Sequence, residues 1–352
     1  MPAQYSVILY DGCLRQLARR PVVAVDAGQV ANDVAQAQVE IVPRTGLYAD
    51  DVNGYLVQRF EAGRVTNVGY YGVAQMIEKV DGIRRTWQAK GVSPLAFFQQ
   101  RDGPNLATAL SGAAAASAKM LMDAAWRQGD TPATVDGTRA DVCSPNATTQ
   151  TGVLEPLATI KDLARAAETN YGMDLRVKLN YDLVAVPQPN ALTLRPVVWV
   201  GEYGADRRVG RGVQPVLLYL TRIAQGWQAT DDRGRQVTRL VGTGSASSYT
   251  NTRALENPYG NRREKSVSAS SGGASRVNSQ ARTTLFEGRP ITRIQADLVL
   301  PPDRYGLALG DVFSVNVNGA PGDAWLNVVQ YTWNASGEKV TGRIDVEVQK
   351  WT

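Results

Sequence analysis

Histidine is absent from all 352 residues. That absence removes Ser-His-Asp and Cys-His nucleophilic machinery, imidazole metal ligands and the usual proton shuttle of neutral pH. An enzyme built on this chain would have to work with carboxylates, lysine or tyrosine. The expectation is therefore a protein that is not an enzyme, with no catalytic residues, no metal site and no cofactor. Cysteine is nearly as scarce, with only Cys13 and Cys143, far apart and in no CxxC pattern. Two such residues make no disulfide framework and read as free thiols of a protein made in a reducing cytoplasm. Long apolar runs are missing as well. The most apolar stretch, Ala113 to Ala125, is interrupted by Lys119 and Asp123 and is too short to span a bilayer, so no stable membrane insertion is expected. The start, Met1-Pro2-Ala3-Gln4-Tyr5-Ser6, lacks a basic region followed by an apolar core, and no signal peptide is expected.

What is present suits a globular protein: a hydrophobic fraction of 43% and a charged fraction of 20%, enough apolar residues for two or three domains at this length. Lys+Arg 38 against Asp+Glu 33 leaves a formal +5, carried mostly by scattered arginines in the last third. Scattered charge of this size gives little support to sequence-specific nucleic-acid binding.

The first hundred residues read as strands and turns. Tyr5–Tyr10 stops at Asp11-Gly12, Gln38–Val42 alternates up to Pro43, and Tyr55–Phe60 with Arg64–Val68 forms a hairpin around Glu61-Ala62-Gly63. After Gly72, the spacing of Val73, Met76, Ile77 and Val80 predicts a short helix, with Arg84-Arg85 as a solvated end. From Pro104 the chain turns alanine-rich, and Asn105 to Gln128 is expected to be helical despite Gly112. A second helix is predicted over Pro156 to Tyr171, ended by Gly172. Three strands follow, at Asp174–Leu179, Leu183–Val186 and Thr193–Val200. Glu202, Asp206, Arg207, Arg208 and Arg211 make a mixed charged loop, and Val213–Ile223 suits a buried strand. Gly242-Thr243-Gly244 is a poor phosphate loop, because no helix and no Lys-Ser/Thr pair follows it.

The stretch Asn257-Pro258-Tyr259-Gly260-Asn261-Arg262-Arg263-Glu264-Lys265 is a rigid, charged turn between two runs of small residues. Pro258 fixes its own φ, and Gly260 and Asn261 accept a positive φ at low cost. It reads as either an exposed linker or a hinge that launches a separate β domain. Beyond it lies the clearest β pattern of the chain: Ile294–Leu300, Phe313–Val317, Trp325–Trp333 and Ile344–Val348 alternate, with turns at Pro301-Pro302-Asp303, Asn318-Gly319 and Ser336-Gly337. Short strands at regular spacing argue for a compact antiparallel barrel or sandwich. Trp325, Tyr331 and Trp333 form an aromatic stripe that suits either the core or a carbohydrate-stacking platform.

Tyr259-Gly260-Asn261-Arg262-Arg263-Glu264, the preceding Val241-Gly242-Thr243-Gly244 and the later Tyr305-Gly306-Leu307-Ala308-Leu309-Gly310-Asp311 together resemble the tail-hub, or baseplate-hub, proteins of long-tailed bacteriophages. The turn in such hubs often runs Tyr-Gly-Arg-Arg-Glu, from which Asn261 departs. The resemblance implies an α+β, mainly β fold with two small antiparallel β-barrel, tail-tube-like domains and an inserted α+β domain. The division it suggests is 1–103 for the first barrel, 104–200 for the insertion, 201–256 for a segment completing the first barrel or the insertion, and 257–352 for the second barrel. It implies a homotrimer presenting a pseudo-six-fold ring that joins the tail tube to the tail tip. The implied partners are the tail tube protein, the distal tail protein, the tape measure protein and a tail fibre or tip protein. Genomic DNA would pass through the channel without sequence-specific binding. The place implied is the tail tip of the virion, after synthesis in the host cytoplasm. Tyr259, Arg262, Arg263 and Glu264 become interface candidates.

Two other readings compete. The aromatic stripe suggests a tail-tip receptor- or carbohydrate-binding protein. Asp50-Asp51, Glu61 or Asp231-Asp232 suggest a carboxylate hydrolase of cell-wall glycan, which needs two carboxyls about 5–10 Å apart across a cleft. Neighbouring residues on a strand point to opposite faces, so neither Asp-Asp pair is a ready dyad.

Overall fold

The computed structural model describes residues 3–12, 15–31, 33–43, 46–99, 204–210, 214–230 and 291–349. It also describes shorter segments at 105–106, 111–113, 134–136, 146–148, 152–153, 155–159, 178–188, 191–201, 239–244 and 264–269. The fold is mainly β, as expected. The first unit contains β1 (Gln4–Tyr10), β2 (Gln16–Val30), β3 (Gln36–Ile41), β4 (Gly54–Glu61), β5 (Arg64–Asp81) and β6 (Arg84–Val92). Their antiparallel pairings run β1-β4-β5-β6-β3-β2, and β2 pairs back to β1, so the hydrogen bonding closes on itself. Closure leaves these strands with few bare edges. The alternation of β1 and β3 aims Tyr5, Val7, Leu9, Ala37, Val39 and Ile41 inward, where they join Val25, Tyr55, Val57, Tyr71 and Trp87 in one buried cluster. Tyr55 and Tyr71 satisfy their hydroxyls inside it by donating to the carbonyls of Ala37 and Gly28 at 2.8 and 2.7 Å.

The turn between β4 and β5 follows the expected hairpin, with Ala62 and Gly63 at φ 50 and 79. Positive φ at both central residues matches the right-handed twist of the flanking strands. The helix expected after Gly72 is instead the second half of β5, which pairs with β6 as far as Asp81↔Arg84. A register shift between Val73 and Gln75 explains the misleading spacing. One extra residue at a bulge puts Val73 and Met76 on the same face, and both pack against the first core.

The second unit contains β7 (Leu217–Tyr219), β8 (Ala224–Thr230), β9 (Ile291–Leu298), β10 (Val312–Val317), β11 (Ala320–Asn334) and β12 (Gly337–Gln349). Strands β8, β9, β12, β11 and β10 pair antiparallel in that order, and β7 and Asp206–Arg207 run parallel to β10 at the far edge. Only the short helix Leu220–Ile223 separates β7 from β8, although they occupy opposite edges. Four residues cannot bridge a flat sheet of this width, so the sheet must curl around its core. That core contains Leu220, Ile223, Ile294, Leu298, Phe313, Val315, Leu326, Ile344 and Val346. The described strands of 206–230 pair within the second unit.

The two units share a sheet. Val25–Val30 of β2 pair antiparallel with Val328–Trp333 of β11. A continuous antiparallel path of ten strands results: β1-β4-β5-β6-β3-β2-β11-β12-β9-β8.

Between the units, Lys178–Gln188 and Ala191–Gly201 form a hairpin, and Thr134–Asp136 pairs parallel to its second strand. Two of the three expected strands are thus parts of longer ones. Residues Pro156–Thr159 begin a helix as expected, with the Thr159 N–H bonded to the Glu155 carbonyl at 3.0 Å; the remainder of that expectation lies outside the described residues. The alanine-rich stretch differs. Asn105–Leu106 and Ser111–Ala113 are strands, paired with Gly152–Val153 and Asn146–Thr148, and the rest of 105–128 lies outside the described residues. Helix propensity from alanine is a weak prior, and Gly112 lowers it further.

Candidate assembly site and the joint between units

The joint between the two units carries a polar cluster that sequence reasoning missed. Arg59 on β4 meets Glu338 on β12 in a forked pair, with Nε to Oε1 at 2.6 Å and NH2 to Oε2 at 2.9 Å. The Tyr5 hydroxyl on β1 donates to the same Glu338 Oε1 at 2.5 Å. Arg59 also pairs with Glu61 at 2.7 Å. The Tyr5 ring lies 5.8 Å from that of Trp333. Both charged side chains are largely sheltered, at 14% and 19% exposure for Arg59 and Glu338, where charge-assisted bonds exceed neutral ones in strength. Burial pushes the Glu338 carboxyl up, but hydrogen bonds from Arg59 and Tyr5 and the Arg59 charge outweigh it and hold the group below 4.5. The Tyr5 hydroxyl is raised, first by burial and then by its bond to Glu338. The hydrogen bond to Glu338 raises Arg59 in turn. Nearby, Asp26 accepts from Gln330 Nε2 at 2.5 Å and Thr332 Oγ1 at 3.3 Å. These contacts fix the angle at which β2 hands over to β11.

A second cluster gives the Leu309-Gly310-Asp311-Val312 segment its physical reason. Asp311 is 2% exposed, yet its carboxylate accepts the Ala205 and Ala308 N–H groups at 2.7 and 2.9 Å and pairs with Arg207 at 2.9 Å. A buried carboxylate without such partners would cost several kcal/mol, on the order of 3–5. Gly306 (φ 68) ends the short helix Pro302–Tyr305, and Leu307 and Leu309 enter the second core. Gly310 backs onto Gly204, where an added Cβ would lie 2.2 Å from the Gly310 carbonyl. The expected charged loop at 202–211 is thus partly internal: Arg208 is buried and bonded to Asp206 at 2.5 Å and Asp323 at 3.2 Å. Adjacent opposite charges in the sequence were the only signal, and they look the same on a solvated loop.

The sequence-derived interface candidates fare unevenly. Tyr259, Arg262 and Arg263 lie outside the described residues. Glu264 opens the strand Glu264–Ala269, which runs parallel to Arg239–Gly244. Gly242-Thr243-Gly244 is accordingly strand and not a phosphate loop. The aromatic stripe is divided by a bulge. The register of β11 against β12 shifts between Leu326 and Val328, so Leu326 and Val329 both point into the second core. Before the shift Trp325 alternates with buried Ala324 and Leu326; after it Tyr331 and Trp333 share the inward phase of Val329. Tyr331 packs against both cores and Trp333 against the first.

The candidate carboxylates do not converge. Asp50 and Asp51 sit exposed on the short helix Ala49–Asp51, and Glu61 is taken by Arg59. Asp231 and Asp232 lie outside the described residues. Among the described residues no group of three or more Cys, Asp or Glu is placed to hold a metal ion, and no helix is long and apolar enough to cross a membrane.

No protein-family model and no curated protein sequence matches the chain. Solved structures do. The chain is similar to the tail protein from Neisseria meningitidis MC58, at 14% identity and TM-score 0.55, over 99% of this chain and 97% of that one. It is similar to the 43 kDa tail protein of prophage MuSo2 from Shewanella oneidensis, at 11% identity and TM-score 0.52, over 98% and 96%. A chain of the Francisella PdpA-VgrG complex matches at 8% identity and TM-score 0.50; this chain is covered over 99% and spans 58% of that one. The fold is that of phage tail proteins.

Proposed function

We propose that this chain is the structural hub of a phage tail tip. Three copies build a pseudo-six-fold ring that joins the tail tube to the tip and surrounds the channel for the tape measure protein and DNA. The observation that carries this reading is the shared sheet: strands of both units lie on one continuous antiparallel path, joined where β2 pairs with β11. Two β units of like construction in one chain supply six ring segments from three chains. A closed ring also covers the sheet edges that an isolated copy leaves bare. The fold likeness to solved tail proteins supports the same assignment.

The role is structural and not enzymatic, and its place is the virion. The tail tube protein, the distal tail protein and a fibre or tip protein are the contacts this role requires. A receptor- or glycan-binding role for the aromatic stripe is less favoured, because Tyr331 and Trp333 pack against the buried cores. Imaging of the purified full chain by electron microscopy tests the proposal. Rings with three-fold symmetry and a central opening are expected; compact single particles at all concentrations would oppose it.

A further inference from the structure

Between β5 and β8 the path is flanked by two edges that lack a partner strand among the described residues, and they complement one another. On β5 the partner β4 begins only at Gly54, opposite Gly72. Past Val73, whose N–H bonds the Asn53 carbonyl at 2.9 Å, β5 continues to Asp81 with β6 on one side and, among the described residues, nothing on the other. At the far end, β8 pairs only with β9 among the described residues, and nearly all of its length is exposed on both faces. Residues 74–81 and 224–230 thus offer edges of comparable length.

Strand direction is informative here. Each of the seven pairings from β5 to β8 is antiparallel, so β8 runs opposite to β5. A neighbouring copy related by rotation about a ring axis keeps these directions. Its β5 edge therefore meets β8 as an antiparallel partner, with Asp81 near Ala224 and Gln75 near Thr230. Side chains agree with that orientation. The end of β5 and its turn carry Val80 and Ile83, exposed at 66% and 105%. The start of β8 lies beside Tyr219, Val299 and Leu300, each about half exposed at 49%, 51% and 48%. Val299 is held there by its N–H bond to the Ile223 carbonyl at 2.7 Å, and Arg222 stacks on Tyr219 at 5.5 Å. Antiparallel docking brings the apolar tip onto this apolar patch, and the acidic Asp81 toward Arg222. Parallel docking would separate them. Exposed apolar groups at an open sheet edge are what a partner strand covers.

We propose that residues 74–83 of one copy dock antiparallel onto 224–230 and the Tyr219/Val299/Leu300 patch of a second copy, joining the sheets of neighbouring chains. This assignment rests on the ring reading above and names its contact. In a Cys13→Ser/Cys143→Ser background, Lys79→Cys with Gln225→Cys, and Gln75→Cys with Ala229→Cys, should form intermolecular disulfides under mild oxidation. The swapped combinations, Gln75→Cys with Gln225→Cys and Lys79→Cys with Ala229→Cys, should not. An intermolecular bridge is read as a band of two-chain mass on a non-reducing gel, which an internal bridge does not give. Ile83→Asp should abolish the trimer peak in size-exclusion light scattering while the far-ultraviolet spectrum stays unchanged. A trimer with no cross-link in either set, or one that survives Ile83→Asp, overturns the edge assignment and leaves the ring intact as a reading. A wild-type mass of one chain overturns both.

Discussion

Replacing Glu338 by alanine tests whether the joint between units is held by its charge cluster. The substitution removes one acceptor of three hydrogen bonds, two from Arg59 and one from Tyr5. Bonds to charged groups contribute about 1.5–3 kcal/mol each in net terms, but three bonds to one carboxylate do not add independently. Arg59 keeps Glu61 at 2.7 Å, so its charge is not abandoned. Tyr5 keeps its packing against Trp333. These considerations place the loss near 3 kcal/mol, at the lower end of the range for breaking a sheltered pair. At about 2–4 °C per kcal/mol for a cooperative unit of this size, the melting midpoint should fall by roughly 6–12 °C. A double-mutant cycle with Arg59→Ala should show coupling above about 1 kcal/mol. The pH dependence has a definite sign. The folded carboxyl sits below its ordinary 4.5, so its contribution is complete above that pH and is lost as pH falls through the lower folded value. Wild type and Glu338→Gln should therefore differ at neutral pH and converge in acid. A midpoint shift under about 2 °C, or no convergence in acid, would refute the reasoning.

Three further outcomes are expected. Asp311→Ala should cost about 3–5 kcal/mol in chemical denaturation, since it strands Arg207 and two backbone N–H groups, and Gly204→Ala should also destabilise because its Cβ meets the Gly310 carbonyl at a φ of 79. Tyr331→Ala and Trp333→Ala should lower the melting midpoint, with a loss of about 2–4 kcal/mol each for half-buried aromatics; unchanged stability with lost glycan binding would return the stripe to a binding role. Charge reversal of Arg262 and Arg263 should weaken assembly, read as a lower trimer fraction by light scattering, while the circular dichroism spectrum is preserved; unaltered assembly would make that turn a linker.

Much of the β framework was legible in the residues. The hairpin at Ala62-Gly63 and the turn at Asn318-Gly319 carry the residue types that positive φ requires, and both form. Alternation over Ile294–Leu298 and Val312–Val317 correctly marks strands. Two of the failures share one cause. Bulges at Val73/Gln75 and Leu326/Val328 shift the inward phase by one residue, which imitates a helix in the first case and a continuous stripe in the second. Local pattern cannot reveal a bulge, because it is set by the partner strand. Arg59, Glu338 and Tyr5 were invisible for a similar reason: they are 279 and 333 residues apart and meet only through the β2–β11 handover.

The mass of the full chain in solution, by size-exclusion light scattering across a concentration series, tests the hub assignment most directly. The account predicts a particle of three 38.0 kDa chains that dissociates on dilution or when Ile83 is made acidic. A single 38.0 kDa species at every concentration would contradict it.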